Sequence, residues 1–125
     1  MKQFLIKFCL ALLAVFAPIK TILLGALVLI LADLITGVWA AKVRKEAITS
    51  AGLRRTIGKL FVYESSICLA YIAQHYVMQD AIEIIKVLTT FIALVEIKSL
   101  LENIDVIYGT PLLKVVIDKI NSKGP

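Results

Sequence analysis

Residues 21–41 read TILLGALVLILADLITGVWAA, an apolar run of helix length with one charged residue, Asp33, inside it. At 1.5 Å per residue such a helix is roughly 30 Å long, the thickness of a bilayer's hydrocarbon layer. Asp33 near the centre costs roughly 2.5–3.5 kcal/mol on insertion scales, while each Leu, Ile or Val returns about 0.3–0.6 kcal/mol. Such residues dominate the run, so insertion stays favourable. Trp39 stands near one end, where an indole suits the boundary between acyl chains and headgroups. The stretch predicts a transmembrane helix.

The rest of the chain has the same bias. Hydrophobic residues make up 60% of the 125 positions, above the roughly 45–50% of soluble domains. A chain this short cannot bury such an excess in its own core, and a lipid-facing surface removes the need. Two further apolar runs, about 60–78 and 82–101, predict a second and third span joined by a very short link near Met78–Ala81, an antiparallel hairpin. Asp80 and Glu83 form a D-x-x-E pattern that can cap the third helix. After it, residues 103–110 read as a break ending at Gly109, with Thr110 and Pro111 as N-cap and first position of a last helix. Leu112, Leu113, Val116, Ile117 and Ile120 line one face of that helix, and Lys114, Asp118 and Lys119 the other.

At the other end, Lys2 and Lys7 precede the apolar run Phe8 to Ala17, which resembles a signal peptide. Pro18 directly follows the one small-residue cleavage point, so the segment is read as retained. It is short of the ~20 residues a span needs, and is expected to lie in the interface or insert partway. The expected fold is therefore all-α: an integral membrane helical bundle with three transmembrane helices, an N-terminal apolar helix that is a candidate fourth span, and a C-terminal amphipathic helix. Its parts are 1–20, the transmembrane domain 21–103, and a cytoplasmic tail 104–125.

Net charge is +5, and six of the fourteen basic residues lie between Lys42 and Lys59. They are Lys42, Arg44, Lys45, Arg54, Arg55 and Lys59, against the single acid Glu46. A basic loop between two spans belongs on the cytoplasmic side, facing anionic lipid headgroups rather than nucleic acid. The hairpin tip with Asp80 and Glu83 then lies outside and the C-terminus inside. Cys9 and Cys68 sit in apolar runs without a spacing partner, so neither a disulfide framework nor a metal site is expected.

Ionisable groups at membrane depth are costly and seldom face lipid. Here they align by helical period: Asp33, Thr36 and Gly37; then Glu64, Cys68, Tyr71 and His75; then Thr89, Glu96, Ser99 and Asn103. Two readings stay open. The stripes either face one another within one subunit or a closed assembly, with Gly25 and Gly37 allowing close helix contact, or they line a water-filled lesion once subunits associate. On the second reading, replacing Glu96 with Leu is expected to abolish permeabilisation but not insertion. An enzyme is not expected. His75 stands three turns from Glu64, roughly 16 Å along a helix, and no HExxH, nucleophile elbow, P-loop or CxxC occurs. No cofactor is implied. A transporter would need broken helices or a repeat at the midplane, and a selective channel a recognisable filter.

Three pieces of sequence together resemble the toxin-secretion/phage-lysis holin family. Asp33-Leu34-Ile35-Thr36-Gly37 through Ala41 looks like its D-x-x-T-G-x-x-x-A start, Thr49 through Lys59 like its Ser/Gly-rich basic loop, and Glu96, Ser99, Glu102 and Asn103 like its E-x-x-S-x-x-E-N signature. Gly109 and Pro111 fall where that family has Gly and Pro before its tail. The resemblance covers about Leu24 to Leu113; the segment Met1–Ile19 has no counterpart, and Thr56 and Ile57 depart from the loop's usual pattern. It implies a multi-pass protein of the bacterial cytoplasmic membrane that forms homo-oligomers and opens lesions, working with a peptidoglycan hydrolase or a secreted toxin. The alternatives are a non-pore scaffold or an antiholin-type regulator, and, further off, an ion channel subunit.

Overall fold

The computed structural model describes residues 1–109 and 111–123, and every regular element among them is helical. Helix α1 (Lys2–Phe16) passes through a 3₁₀ turn (Ala17–Ile19) into α2 (Lys20–Val43). Helix α3 (Ser50–Ile72) ends in a π-helical turn (Ala73–Val77), and α4 (Ile84–Tyr108) and α5 (Leu112–Ser122) follow. Pro18 falls in the 3₁₀ turn, where its missing N–H and fixed φ are tolerated.

From Lys2 to Val43 the chain is one helical run of 42 residues, the one such run among the described residues apolar and long enough to cross a membrane by composition alone. Helix α4 falls short of that mark because Lys86, Glu96 and Lys98 dilute it, and α3 because Arg54, Arg55, Lys59 and Glu64 do the same. The N-terminal segment does not fold back along α2 as a fourth bundle helix. The 3₁₀ turn between them does not reverse the chain, and only Val15 and Phe16 of α1 pack on the core.

The stretch expected as a basic loop is mostly helix. Lys42 lies in the last turn of α2, only Arg44 to Thr49 connect, and Arg54, Arg55 and Lys59 ride on α3. Charge alone marks the side of the membrane; it does not distinguish a loop from a helix extending into the headgroups, and Arg and Lys are good helix formers. The tip between α3 and α4 also differs from expectation. Gln79 and Asp80 take left-handed backbone conformations, and the D-x-x-E cap does not form. Glu83 stands at the cap position without a side-chain bond; the Ile85 N–H instead donates to Gln74 Oε1 at 2.9 Å.

Helix α4 runs through the expected break at 103–110 as far as Tyr108 and ends at Gly109, whose φ of 66° places it in the left-handed region that suits glycine. Thr110 lies outside the described residues. Pro111 occupies the cap position of α5 rather than the first helical one, and the Asp105 carboxylate accepts from the N–H groups of Leu112 at 2.6 Å and Leu113 at 3.4 Å.

Helices α2, α3 and α4 form the bundle. Ala26 and Ile92 share the core with Ile67, and further on Asp33 and Thr36 meet Ser99 and Asn103. Helices α2 and α4 therefore run parallel, seven residues of one matching seven of the other. Helix α3 runs antiparallel, with Tyr71 near Phe16 at one end and Lys59 near Asp33 at the other. Phe61, Val62, Leu69, Val87, Phe91 and Leu94 point outward and are more than half exposed, a surface suited to acyl chains.

Candidate functional site

Two carboxylates lie where the three bundle helices meet, and one ammonium bridges them. Lys59 Nζ is 2.8 Å from Asp33 Oδ2 and 2.8 Å from Glu96 Oε2. The other carboxylate oxygens are also satisfied. Ser99 Oγ donates to Asp33 Oδ1 at 2.6 Å, Asn103 Nδ2 to the same oxygen at 3.0 Å, and the Tyr63 hydroxyl to Glu96 Oε1 at 3.0 Å. Thr36 ties the group to the backbone of α2: its hydroxyl donates to the Ala32 carbonyl at 2.8 Å and accepts from Asn103 Nδ2 at 3.0 Å.

Each helix supplies its part by spacing. Asp33 and Thr36 are three apart on α2, Lys59 and Tyr63 four apart on α3, and Glu96, Ser99 and Asn103 three and four apart on α4, so each set shares a face. Glu96 is 0% exposed, the one fully buried charged side chain among the described residues. An isolated charge there would be very costly; paired with Lys59 and Tyr63 it is tolerable. With Asp33, Glu96 and Lys59 all ionised, two negative charges face one positive, and the neutral donors of Ser99, Asn103 and Tyr63 spread the excess.

Within the subunit the α2 and α4 stripes come together, except Thr89, which bonds to its own helix at the Ile85 carbonyl. Of the expected α3 stripe, Tyr71 is in the core and Cys68 packs against it. Lys59, Tyr63 and Tyr71 face inward, whereas Glu64 stays out of the cluster with a buried, unpartnered Oε1. His75 is exposed at the far tip and pairs with Asp80 at 3.1 Å. Glu102 is exposed and pairs with Lys98 at 3.6 Å. Gly37 is adjacent to Asn103 Nδ2, but an added Cβ would sit 3.6 Å from it, an ordinary contact; at Gly25 a Cβ would meet open space. Neither glycine is required for close approach within the subunit. Lys59 and Tyr63 were not singled out as partners of the carboxylates. The signal was present: two acids at membrane depth require a cation, and Lys59 is the basic residue closest to the apolar part of α3.

A cleft of about 740 Å³ opens beside the cluster. Asp33, Lys59, Ser99 and Asn103 form its floor, and Arg44, Thr49, Ser50, Arg55 and Thr56 stand toward its mouth. On the opposite side of the cluster the bundle is closed by Ile30, Ile67 and Ile92, exposed by 1%, 0% and 4%. Among the described residues no group of His, Cys, Asp and Glu is placed to hold a metal ion.

The profile of the bacteriophage holin family matches residues 10–122 of the chain. No curated protein matches it, and no solved structure does.

Proposed function

The chain belongs to the bacteriophage holin family, hence to the membrane proteins of phage lysis, and from that premise we propose that it oligomerises in the host's cytoplasmic membrane and permeabilises it, letting an endolysin or a toxin leave the cell. Helices α2, α3 and α4 each cross the bilayer, with Arg44 to Thr49 in the cytoplasm and the Met78–Glu83 tip outside. Helix α1 continues α2 at its outer end, and α5 lies on the cytoplasmic side. The family is not an enzyme family, and no catalytic role is assigned to any residue.

The observation that carries this reading is the pair of carboxylates held between helices. A lesion needs one wettable face per helix, and Asp33, Lys59, Tyr63, Glu96, Ser99 and Asn103 supply one on each of the three. Within the single subunit these faces satisfy one another and Ile67 closes the rest, which describes a resting form. When copies cluster and the helices part, the same groups exchange their partners for water. Lateral association in lipid has no hydrophobic driving force, so polar groups released in this way favour contact between copies or with a water column.

Glu96→Leu tests it. The substitution leaves Lys59 and Asp33 as a neutral pair, so insertion and helix content are expected to persist while the buried carboxylate is lost. Vesicles carrying the variant should fail to release an entrapped dye that the parent chain releases. Unchanged leakage rejects the lumen role. The complete internal satisfaction of the cluster favours one second reading, a closed antiholin-type regulator. Expression in a bacterium separates the two: a holin halts growth and collapses the membrane potential, and a regulator alone does neither.

A further inference from the structure

We propose that the cleft between the Arg44–Thr49 connection, the start of α3 and the inner ends of α2 and α4 is a binding site for the headgroup of one anionic phospholipid of the cytoplasmic leaflet.

Its depth is the first argument. Asp33, on the floor, is six residues before Trp39 on α2, roughly 9 Å deeper along the axis, and Arg44 is five residues beyond it, roughly 7 Å toward the cytoplasm. With Trp39 at the boundary of acyl chains and headgroups, the cleft extends from the headgroup layer to roughly 9 Å inside the acyl region. Its volume of about 740 Å³ falls among those of pockets for ligands of a few hundred daltons.

Its lining is the second. Leu34, Val38 and Leu53 line it, and toward the connection stand Thr49, Thr56 and two cations, Arg44 and Arg55, against one acid, Glu46. Apolar walls with a polar, cationic mouth match an amphiphile better than a free ion. The charges at the mouth are unequal in availability. Arg44 is held by Glu46 at 3.0 Å, and Lys59 by both carboxylates. Arg55 makes no ion pair with any described residue, and its planar fork suits a phosphodiester. Thr56 already donates to the Gly52 carbonyl at 3.2 Å, which leaves its oxygen as wall rather than donor. The cluster on the floor has two carboxylates to one ammonium, so a phosphate is placed at the mouth beside Arg55 and not against Asp33.

The inference rests on the membrane residence and orientation proposed above but not on leakage, and its test reads lipid retention alone. The full-length chain is purified in a mild detergent with equal phosphatidylglycerol and phosphatidylcholine, and bound lipid is counted by native mass spectrometry. Arg54 does not line the cleft, so Arg54→Gln and Arg55→Gln remove the same charge from adjacent positions. The parent should retain one phosphatidylglycerol in preference to phosphatidylcholine. Arg55→Gln should weaken that retention by about tenfold, the factor lost with one charge-assisted hydrogen bond, while Arg54→Gln stays within about twofold of the parent. Equal losses in both variants, or no preference for the anionic lipid, overturn the site in favour of diffuse attraction. Displacement of the lipid by millimolar inorganic phosphate overturns the lipid assignment and leaves a simple anion site.

Discussion

Lys59 is the residue on which the cluster depends most. Glu96 has no exposure, and Asp33 and Lys59 are 16% and 24% exposed at the side chain. Lys59→Met would leave two carboxylates facing each other with no cation. Breaking a buried pair this way costs roughly 3–5 kcal/mol, whereas the hydrogen bonds from Ser99 and Asn103 are of the interhelical kind worth about 0.6 kcal/mol on average in membranes. The ammonium therefore outweighs the neutral donors. Titration of the purified variant with SDS, followed by far-UV circular dichroism, should show loss of helix at a distinctly lower SDS fraction than in the parent. Adding Glu96→Leu should recover part of that loss, because the remaining single carboxylate has Ser99 and Asn103 as donors. A double variant no more resistant than Lys59→Met would show that charge compensation is not what holds the cluster.

At the scale of elements, α2 was legible from composition, because apolar length and the 1.5 Å rise leave a helix few alternatives in lipid. Helix α3 was legible only in part. Its apolar segment was visible, but its first turns carry Arg54, Arg55 and Lys59, and the same charges suit a loop or a helix in the headgroup layer. That ambiguity also concealed the role of Lys59, since a residue assigned to a loop is not looked for inside a bundle. Tyr63 on the inward face of α3 was missed because Glu64 and Tyr63 are neighbours, and pattern alone favours the charged one; in the structure Tyr63 reaches Glu96 and Glu64 does not. The end of α4 was misplaced for a tertiary reason. Asp105 accepts from the first N–H groups of α5, a cap supplied from the preceding helix across Gly109, and no local N-cap rule anticipates it. Asp105→Ala removes that cap at a cost of roughly 1 kcal/mol, so the Leu112 and Leu113 amides should exchange with deuterium about fivefold faster. Rates unchanged in both would mean that packing on α4, not Asp105, holds the start of α5.

For the molecule as a whole, the proposed three-span arrangement requires helices that alternate in direction, and the packing is compatible with it: α2 is parallel to α4 and α3 is opposed to both. Lys20 and Trp39 bracket α2, separated by roughly 28 Å along the axis, close to the ~30 Å hydrocarbon thickness. On α4, Tyr108 is 69% exposed and lies at the same end as Trp39, a second aromatic at the same boundary. Beyond that boundary are Lys42, Arg44 and Lys45, and at the other end the tip carries Asp80 and Glu83, with Lys86 inside the first turn of α4. On the proposed topology, the bias of basic residues to one end assigns that end to the cytoplasm. In a background of Cys9→Ser and Cys68→Ser, a cysteine at Ala81 should react with a membrane-impermeant maleimide added to right-side-out spheroplasts. A cysteine at Ala47 should react only after the membrane is opened by detergent. Both positions are exposed in the folded chain, so burial does not account for a lack of reaction. Labelling of Ala47→Cys but not Ala81→Cys would invert the orientation and move the charged cleft to the outer leaflet, whereas labelling of both from outside would mean that α3 does not cross.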